Sequence, residues 1–449
     1  MRWNLKYAIR SYISGSMWLV PLFALLFYIV FAQVTTAIED WLLQTGRLDA
    51  KTAYLGLSMA GARSMLETAI TLNLSFLVFT FGSLLVAIQV AGGQYTPRII
   101  ATTLLRDNVI RFTVGCFVFT LVFAVRVLTR TEEMVDQFNT FIATLLGWIS
   151  ILAFLYLIDY AARFLRPVSI VAVVGRFGVA VIQSVYPEQT TRPRPVQSAG
   201  RLGSPDRIVA NVGTPGVLLA VDLAGLVKRA RQASGIIEFA PQVGDFLAVD
   251  EPLFRLYGGA GTIDDRRLRE AVVLGIERTM EQDPTFAFRI LVDIAIKALS
   301  AAINDPTTAV MAIDQLHRLL RLVGLRDLRG EELRDAAGEL RVVFRTPNWE
   351  DYVHLTCTEI RHCGAGSIQV MRRMRSMLEN LMQTLPPHRH AELRQQLELL
   401  DRTVDAKYEF PEDRALAHMP DPQGLGGSLG VQPLSETPAA EGGTRDALP

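Results

Sequence analysis

Four stretches of this chain are apolar over the length of a membrane crossing. A hydrocarbon core about 30 Å thick takes roughly 20 helical residues to cross, and Met17–Ile38, Thr68–Val90, Arg111–Leu128 and Phe138–Ile158 meet that need. None carries a charge at its centre, although Arg126 lies near the end of the third. The second holds Thr71, Asn73, Ser75, Thr80, Ser83 and Gln89, which predicts a helix with one polar side. Such a side belongs against other helices or water, because unpaired polar groups are costly in lipid. It serves either helix packing or the lining of a conduction path. Two segments are ambiguous. Val168–Ile182 is apolar but short and carries Arg176 halfway, which fits an interfacial helix with the arginine reaching headgroup phosphates, or else a re-entrant segment. Ala50–Ala69 fits an extracytoplasmic surface helix or an extension of the second crossing.

The pattern changes after residue 186. Residues 187–206 are rich in proline, glycine and polar groups and form a linker. Between 207 and 260, short β-like runs at Val217–Val221, Gly235–Phe239, Phe246–Val249 and Phe254–Tyr257 are punctuated by glycine, with a short helix at Leu223–Gln232 and a tight turn at Pro241–Asp245. From 261 to 410 helical periodicity dominates: Asp264–Met280, Pro284–Ala302, Pro306–Leu322, then Tyr352–Ile360, Ser367–Gln383 and His388–Thr403, with a weaker β-like run at Leu340–Phe344. Two of these helices open with Asp-Pro, at Asp283-Pro284 and Asp305-Pro306, where the carboxylate caps free N–H groups and proline costs no intrahelical bond. Residues 411–449 are rich in glycine, proline and alanine and predict a disordered tail. The expected fold is therefore an α-helical membrane domain of four transmembrane helices (1–160), an interfacial segment (161–186), a linker, and an α+β cytoplasmic domain comprising a small β-rich module and a helical region.

Composition agrees with that division. Half of the 449 residues are apolar and a fifth are charged, enough chain for two or more folding units. Positives and negatives cancel, so charge gives no reason to propose nucleic acid as a partner. Three cysteines are no disulfide scaffold. Arg2, Lys6 and Arg10 precede the first apolar run, but that run is too long for a secretory signal and lacks a small-x-small site, so it is expected to stay as an anchor.

Basic residues set the orientation. The N-terminal arm, the link Ala91–Arg111 with Arg98 and Arg106, and the region after the fourth crossing with Arg163, Arg166 and Arg176 are all net basic. The loops Glu39–Glu67 and Thr129–Gln137 have at least as many acids as bases. Both termini are thus expected in the cytoplasm, with the protein in the bacterial inner membrane.

Two long motifs give a resemblance. Leu85–Arg98 (Leu-Val-Ala-Ile-Gln-Val-Ala-Gly-Gly-Gln-Tyr-Thr-Pro-Arg) and Asp293–Ala309 (Asp-Ile-Ala-Ile-Lys-Ala-Leu-Ser-Ala-Ala-Ile-Asn-Asp-Pro-Thr-Thr-Ala) resemble the two signatures of a predicted bacterial membrane protein family, the domain of unknown function numbered 2254. The likeness runs to about residue 405. It implies a bacterial membrane protein with a cytoplasmic domain and supplies no activity. Ala301 stands where that pattern has proline, which loosens the predicted end of the Pro284–Ala302 helix.

The candidate functional residues follow. Asn73, Ser75, Gln89, Tyr95, Arg98 and Arg176 are candidates for a gate or lining, with Pro97 making an elbow or a moving hinge. Asp293, Lys297, Asn304, Asp305, Pro306, Thr307 and Thr308 form a second group, able to cap and pack helices or to bind a small ligand near a helix N-terminus. Within it Arg289, Asp293 and Lys297 recur every fourth residue, a stripe that two ion pairs stabilise. His354, Cys357, His362 and Cys363 are crowded, but their spacing matches no zinc pattern. Gly258–Gly261 lacks the lysine of a phosphate-binding loop. No nucleophile–base pair is visible, so neither an enzyme nor a cofactor is expected. The favoured function is a homo-oligomeric channel or transport-like protein in the lipid bilayer, for an unspecified ion or solute, with a regulatory cytoplasmic domain. The alternative is a non-transporting scaffold or sensor.

Overall fold

A computed structural model describes residues 3–45, 58–94, 107–130, 137–164, 166–190, 202–328 and 332–427. The N-terminal arm is a helix, α1 (Trp3–Gly15), followed by four long apolar helices: α2 (Leu19–Gln44), α3 (Met59–Gln94), α4 (Asn108–Arg130) and α5 (Gln137–Phe164). Each contains most of one predicted crossing, and α3 begins at Met59, so that part of Ala50–Ala69 extends the second crossing. The bundle is organised around α4, which packs on α2, α3 and α5. Its interior is filled with aromatic rings: Phe117 and Phe123 are fully buried, and Phe76 stacks on Phe154 with centroids 4.1 Å apart. The outer surface is also apolar, exposing Val78, Leu85, Trp148 and Leu152. An apolar exterior over an apolar interior is the arrangement lipid demands, since every backbone polar group is satisfied within the helix.

A fifth helix, α6 (Pro167–Val185), is also long and apolar enough to cross, so five helices qualify by length and composition where the sequence suggested four. It takes in the whole segment Val168–Ile182 that resembled an interfacial helix. One face of it has a protein partner: Ile170, Val171, Val174 and Ile182 belong to the same core as the C-terminal helices. The close approach depends on Gly178, where a Cβ would sit 2.8 Å from Leu319 and 3.1 Å from Ala287. Val168, Arg176 and Phe177 lie on the exposed face.

The C-terminal region contains two sheets and a helical unit. The strands are β1 (Arg207–Ala210), β2 (Gly216–Val221), β3 (Gly235–Phe239), β4 (Phe246–Leu247), β5 (Pro252–Gly258), β6 (Val272–Gly275), β7 (Glu332–Arg334) and β8 (Leu340–Phe344). They form a five-stranded sheet in the order β1-β5-β3-β8-β7 and a three-stranded sheet β4-β2-β6. The β-rich module thus extends beyond 207–260, because β6 and β8 return to it from later in the chain, β8 pairing parallel to β3 through Ile237 and Val342. Helix α7 (Leu223–Gln232), capped by Asp222, matches its predicted span. The helix expected over Asp264–Met280 is only α8 (Asp265–Arg269); the run Val272-Val273-Leu274-Gly275 becomes β6 instead, since adjacent β-branched residues before a glycine favour an extended chain.

Helices α9 (Pro284–Ala298), α10 (Pro306–Gly324), α11 (Trp349–Gly364), α12 (Ile368–Thr384), α13 (His390–Lys407) and α14 (Pro411–Ala417) build the helical unit. α9 is its centre, with Phe286, Phe288, Leu291, Ile294 and Ala295 buried on different sides, as a helix enclosed by neighbours requires. The expected disorder from 411 does not hold over 411–427, which form α14 and an ordered segment held by side chains of α12; residues 428–449 lie outside the described residues.

Candidate functional site

The two signature motifs meet. Lys297, near the end of α9, donates from Nζ to the carbonyl of Gly92 at 3.0 Å, close to the C-terminus of α3. Carbonyls in the last turn of a helix lack intrahelical donors and carry the negative end of its dipole, so a lysine there is favourably placed. The C-terminal region is thereby fastened to the end of one long apolar helix. Both motifs were visible in the sequence but their contact was not, since no spacing rule joins residues this far apart.

The remaining motif residues are engaged locally. Arg289 donates to Asp293 at 2.6 Å, as the i,i+4 spacing predicted, and also forks onto Glu359 at 2.6 and 2.8 Å. The guanidinium beside Glu359 holds that carboxyl below its ordinary range. Asn304 has φ +50, a left-handed turn that asparagine tolerates. Asp305 caps α10 by accepting from the backbone N–H of Thr308 at 3.1 Å and from its hydroxyl. Pro306 fills the first helical turn, and Thr307 is exposed. This group is a helix junction whose carboxylate oxygens are both in use.

The gate and lining candidates are not brought together. Asn73 is fully buried in the bundle, its amide donating to the Ala69 carbonyl at 2.8 Å and its own oxygen without a hydrogen-bond partner among the described residues. Ser75 and Gln89 lie on the opposite, exposed surface of α3, Ser75 donating back to Thr71. Arg176 is exposed on α6, and Tyr95 and Arg98 fall outside the described residues. The exposed face of α3 carries Thr68, Thr71, Ser75, Gly82, Gln89 and Gly93 at heptad-like intervals. A Cβ added at Gly82 or Gly93 would meet nothing within 4 Å. His354, Cys357, His362 and Cys363 do not converge either: Cys357 is buried, its thiol pushed up to about 12 by burial, and Cys363 is exposed. Among the described residues no group of three or more His, Cys, Asp or Glu is placed to hold a metal ion.

A cavity of about 710 Å³ lies where the β-module, the start of α9 and the arm helix α1 come together. Trp3, Tyr186, Leu223, Phe239, Leu333 and Phe344 contribute apolar wall, and Asp283 lies in its lining. Asp283 and Asp305 begin their helices with the same Asp-Pro motif, yet their surroundings differ. Asp283 is only 3% exposed. One of its oxygens caps α9 by accepting from Phe286 N–H at 3.2 Å and from the Thr285 hydroxyl. The other has no hydrogen-bond partner among the described residues, and Arg278 Nε stands off at 4.0 Å while donating to the Gly244 carbonyl at 2.8 Å. Burial pushes the Asp283 carboxyl above the usual carboxylate range. A capping motif records the local turn and not what lies over it, so the sequence showed the two aspartates as equals.

That environment gives a test of stability. A carboxyl whose pKa is raised by folding opposes folding once it ionises, so its penalty grows as pH rises from the unfolded value, about 3.9, through the folded one. Asp283→Asn keeps a cap acceptor and removes the charge. The variant is expected to melt above wild type at pH 8, with the difference vanishing at pH 4. A lower Tm at both pH values would show that the carboxylate is stabilising.

The relatives of this chain agree with its membrane character. The family model described as Predicted membrane protein (DUF2254) matches residues 14–380. An uncharacterized protein of Mycobacterium bovis and one of Mycobacterium tuberculosis are each 26% identical over 432 residues, covering 92% of this chain and 81% of theirs. No solved structure matches. With a match over most of its length and several apolar helices of membrane-spanning size, the chain belongs to the predicted membrane protein family DUF2254.

Proposed function

We propose that this protein is a homo-oligomeric, transport-like protein of the bacterial inner membrane, with both termini cytoplasmic, whose C-terminal region regulates the helix bundle. The observation that carries the reading is the Lys297–Gly92 bond, which ties the centre of the helical unit to the end of α3. The exposed face of α3 supports oligomerisation. Its small and hydroxyl side chains allow close helix approach, the main source of attraction between helices in lipid. The hydroxyls of Thr68, Thr71 and Ser75 bond to carbonyls of their own helix, so a neighbour can pack on them without breaking hydrogen bonds. A second reading, a scaffold or sensor that transports nothing, is favoured by the phenylalanine-filled interior of the single bundle.

One experiment separates the two. In a background with Cys116 and Cys363 replaced by serine, Gly82→Cys is expected to form disulfide-linked dimers on oxidation in membranes, whereas Leu152→Cys on the outer face of α5 is not. In liposomes the purified protein is expected to pass K⁺, Na⁺ or Cl⁻, and Lys297→Met to change that flux at least severalfold. A monomer without flux would leave only the scaffold or sensor reading.

A further inference from the structure

We propose that the cavity beside Asp283 is a binding site for a small organic cation with an apolar body, its charged N–H group seated against the Asp283 carboxylate. The assignment concerns the C-terminal region and stands whether or not the bundle conducts.

Size comes first. About 710 Å³ lies within the range of small-molecule sites, which are mostly apolar with a few placed polar groups. Here the apolar surface is supplied by Trp3, Leu223, Phe239, Val243, Leu333 and Phe344. The buried Oδ2 of Asp283, a residue of the cavity lining, has no hydrogen-bond partner among the described residues. Buried polar atoms in folded proteins are nearly always bonded, and an unbonded carboxylate oxygen beside a cavity marks where a donor is missing. Arg278 does not fill the role, because its guanidinium is turned to the Gly244 carbonyl.

Charge then selects the donor. The cavity walls include Glu188 and Asp222 as well as Asp283, with Glu332 paired to Arg334, against one lining arginine, Arg345. An anion such as a phosphate would meet this surplus of carboxylates and is disfavoured. A bare metal ion needs several converging ligands, and among the described residues no such group exists. A primary ammonium or guanidinium meets both conditions: it donates a charge-assisted hydrogen bond to Asp283, and its neighbouring apolar part packs on the aromatic walls, whose faces also attract cations.

The site is connected to the membrane part. Trp3 belongs to α1, and Ser11 of that helix donates to Glu281 at 3.3 Å, two residues before Asp283. Gln282 accepts from the backbone of Val221 at 3.1 Å, so this segment links the arm helix, the small sheet and α9. An occupant would therefore press on the helix that leads into α2.

The test uses the full-length protein in detergent with a panel of probes: agmatine, putrescine, tyramine, tryptamine and 2-phenylethylammonium, the last three paired with the alcohols tyrosol, tryptophol and 2-phenylethanol. At least one amine is expected to bind by calorimetry and raise Tm, and its alcohol to bind at least tenfold more weakly. Asp283→Asn should weaken the amine about tenfold or more, whereas Asp305→Asn, the same cap outside the cavity, should leave it unchanged. Leu333→Trp, which fills the cavity while keeping Asp283, should abolish binding in a protein that still melts cooperatively. The proposal is overturned if no amine binds, if amine and alcohol bind alike, or if binding survives Leu333→Trp.

Discussion

Replacing Val174 by aspartate is expected to unfold the C-terminal helical unit, while the same change at Val168, two turns away on α6, leaves that unit folded. Val174 is 0% exposed and packs in the core shared by α6, α9 and α10, whereas Val168 is 59% exposed. The buried substitution loses about 1.5–3 kcal/mol of apolar burial. It also places a carboxyl group in an apolar core, a further cost of several kcal/mol even if the group takes up a proton. Against a stability margin of about 5–15 kcal/mol, that sum removes most of the folded population. The measurement is limited proteolysis together with the melting of tryptophan fluorescence. A helix held only by lipid would give the opposite ranking, with Val168→Asp the damaging change and Val174→Asp tolerated. If Val174→Asp melts within 2–3 °C of wild type, a shift of about 1 kcal/mol, α6 is not part of this core.

That contrast shows where sequence reading succeeds and stops. The four long apolar helices α2 to α5 were legible because lipid sets a length and excludes charge, both of which are local properties of the chain. The identity of α6 was not. An apolar helix with one exposed arginine has the same periodicity against a bilayer as against α9 and α10, and only its glycines, Gly175 and Gly178, hint at a close neighbour. Strands β2, β3 and β5 and helix α7 were visible in their periodicity, as was the Arg289–Asp293 pair. The partners of β3 were not, because β8 lies about a hundred residues on and parallel pairing leaves no turn signal. The candidate sites divide the same way. The Asn304–Thr308 junction was found as a cap, but the cavity at Asp283 required three distant parts of the chain to be assembled.

Arg372→Met is expected to release residues 418–427 without unfolding the helices beneath them. Composition made this segment look disordered, since it has little apolar material to bury. The structure orders it around the buried Arg372, helped by Gln369 donating to the Gly424 carbonyl at 2.6 Å and Arg373 to the Pro422 carbonyl at 3.4 Å. Arg372 is 2% exposed and donates to the carbonyls of Met419 at 3.1 Å, Gly426 at 3.1 Å and Gly427 at 2.8 Å. Asp421 gathers the same loop from the other side, accepting from the N–H groups of Gln423, Gly424 and Gly426. Gly424 and Gly426 have φ of +71 and +76, which an L side chain would resist, and this turns their backbone toward the arginine. Methionine fills similar space but donates nothing, leaving three carbonyls unpaired at about 1–3 kcal/mol each. Because Pro422, Gln423, Leu425 and Gly427 are already exposed, the segment can escape that cost by peeling into water, so the loss is local. The expected result is new protease cleavage between 418 and 427, faster amide exchange there, and a Tm lower by only a few degrees. Arg372→Lys should sit between, since one ammonium reaches fewer of the three carbonyls than a planar guanidinium does. Unchanged protection of 418–427 in Arg372→Met would mean that the segment is held by its packing on Val310 and Gln369, where Gly424 and Gly426 lie close, rather than by the buried charge.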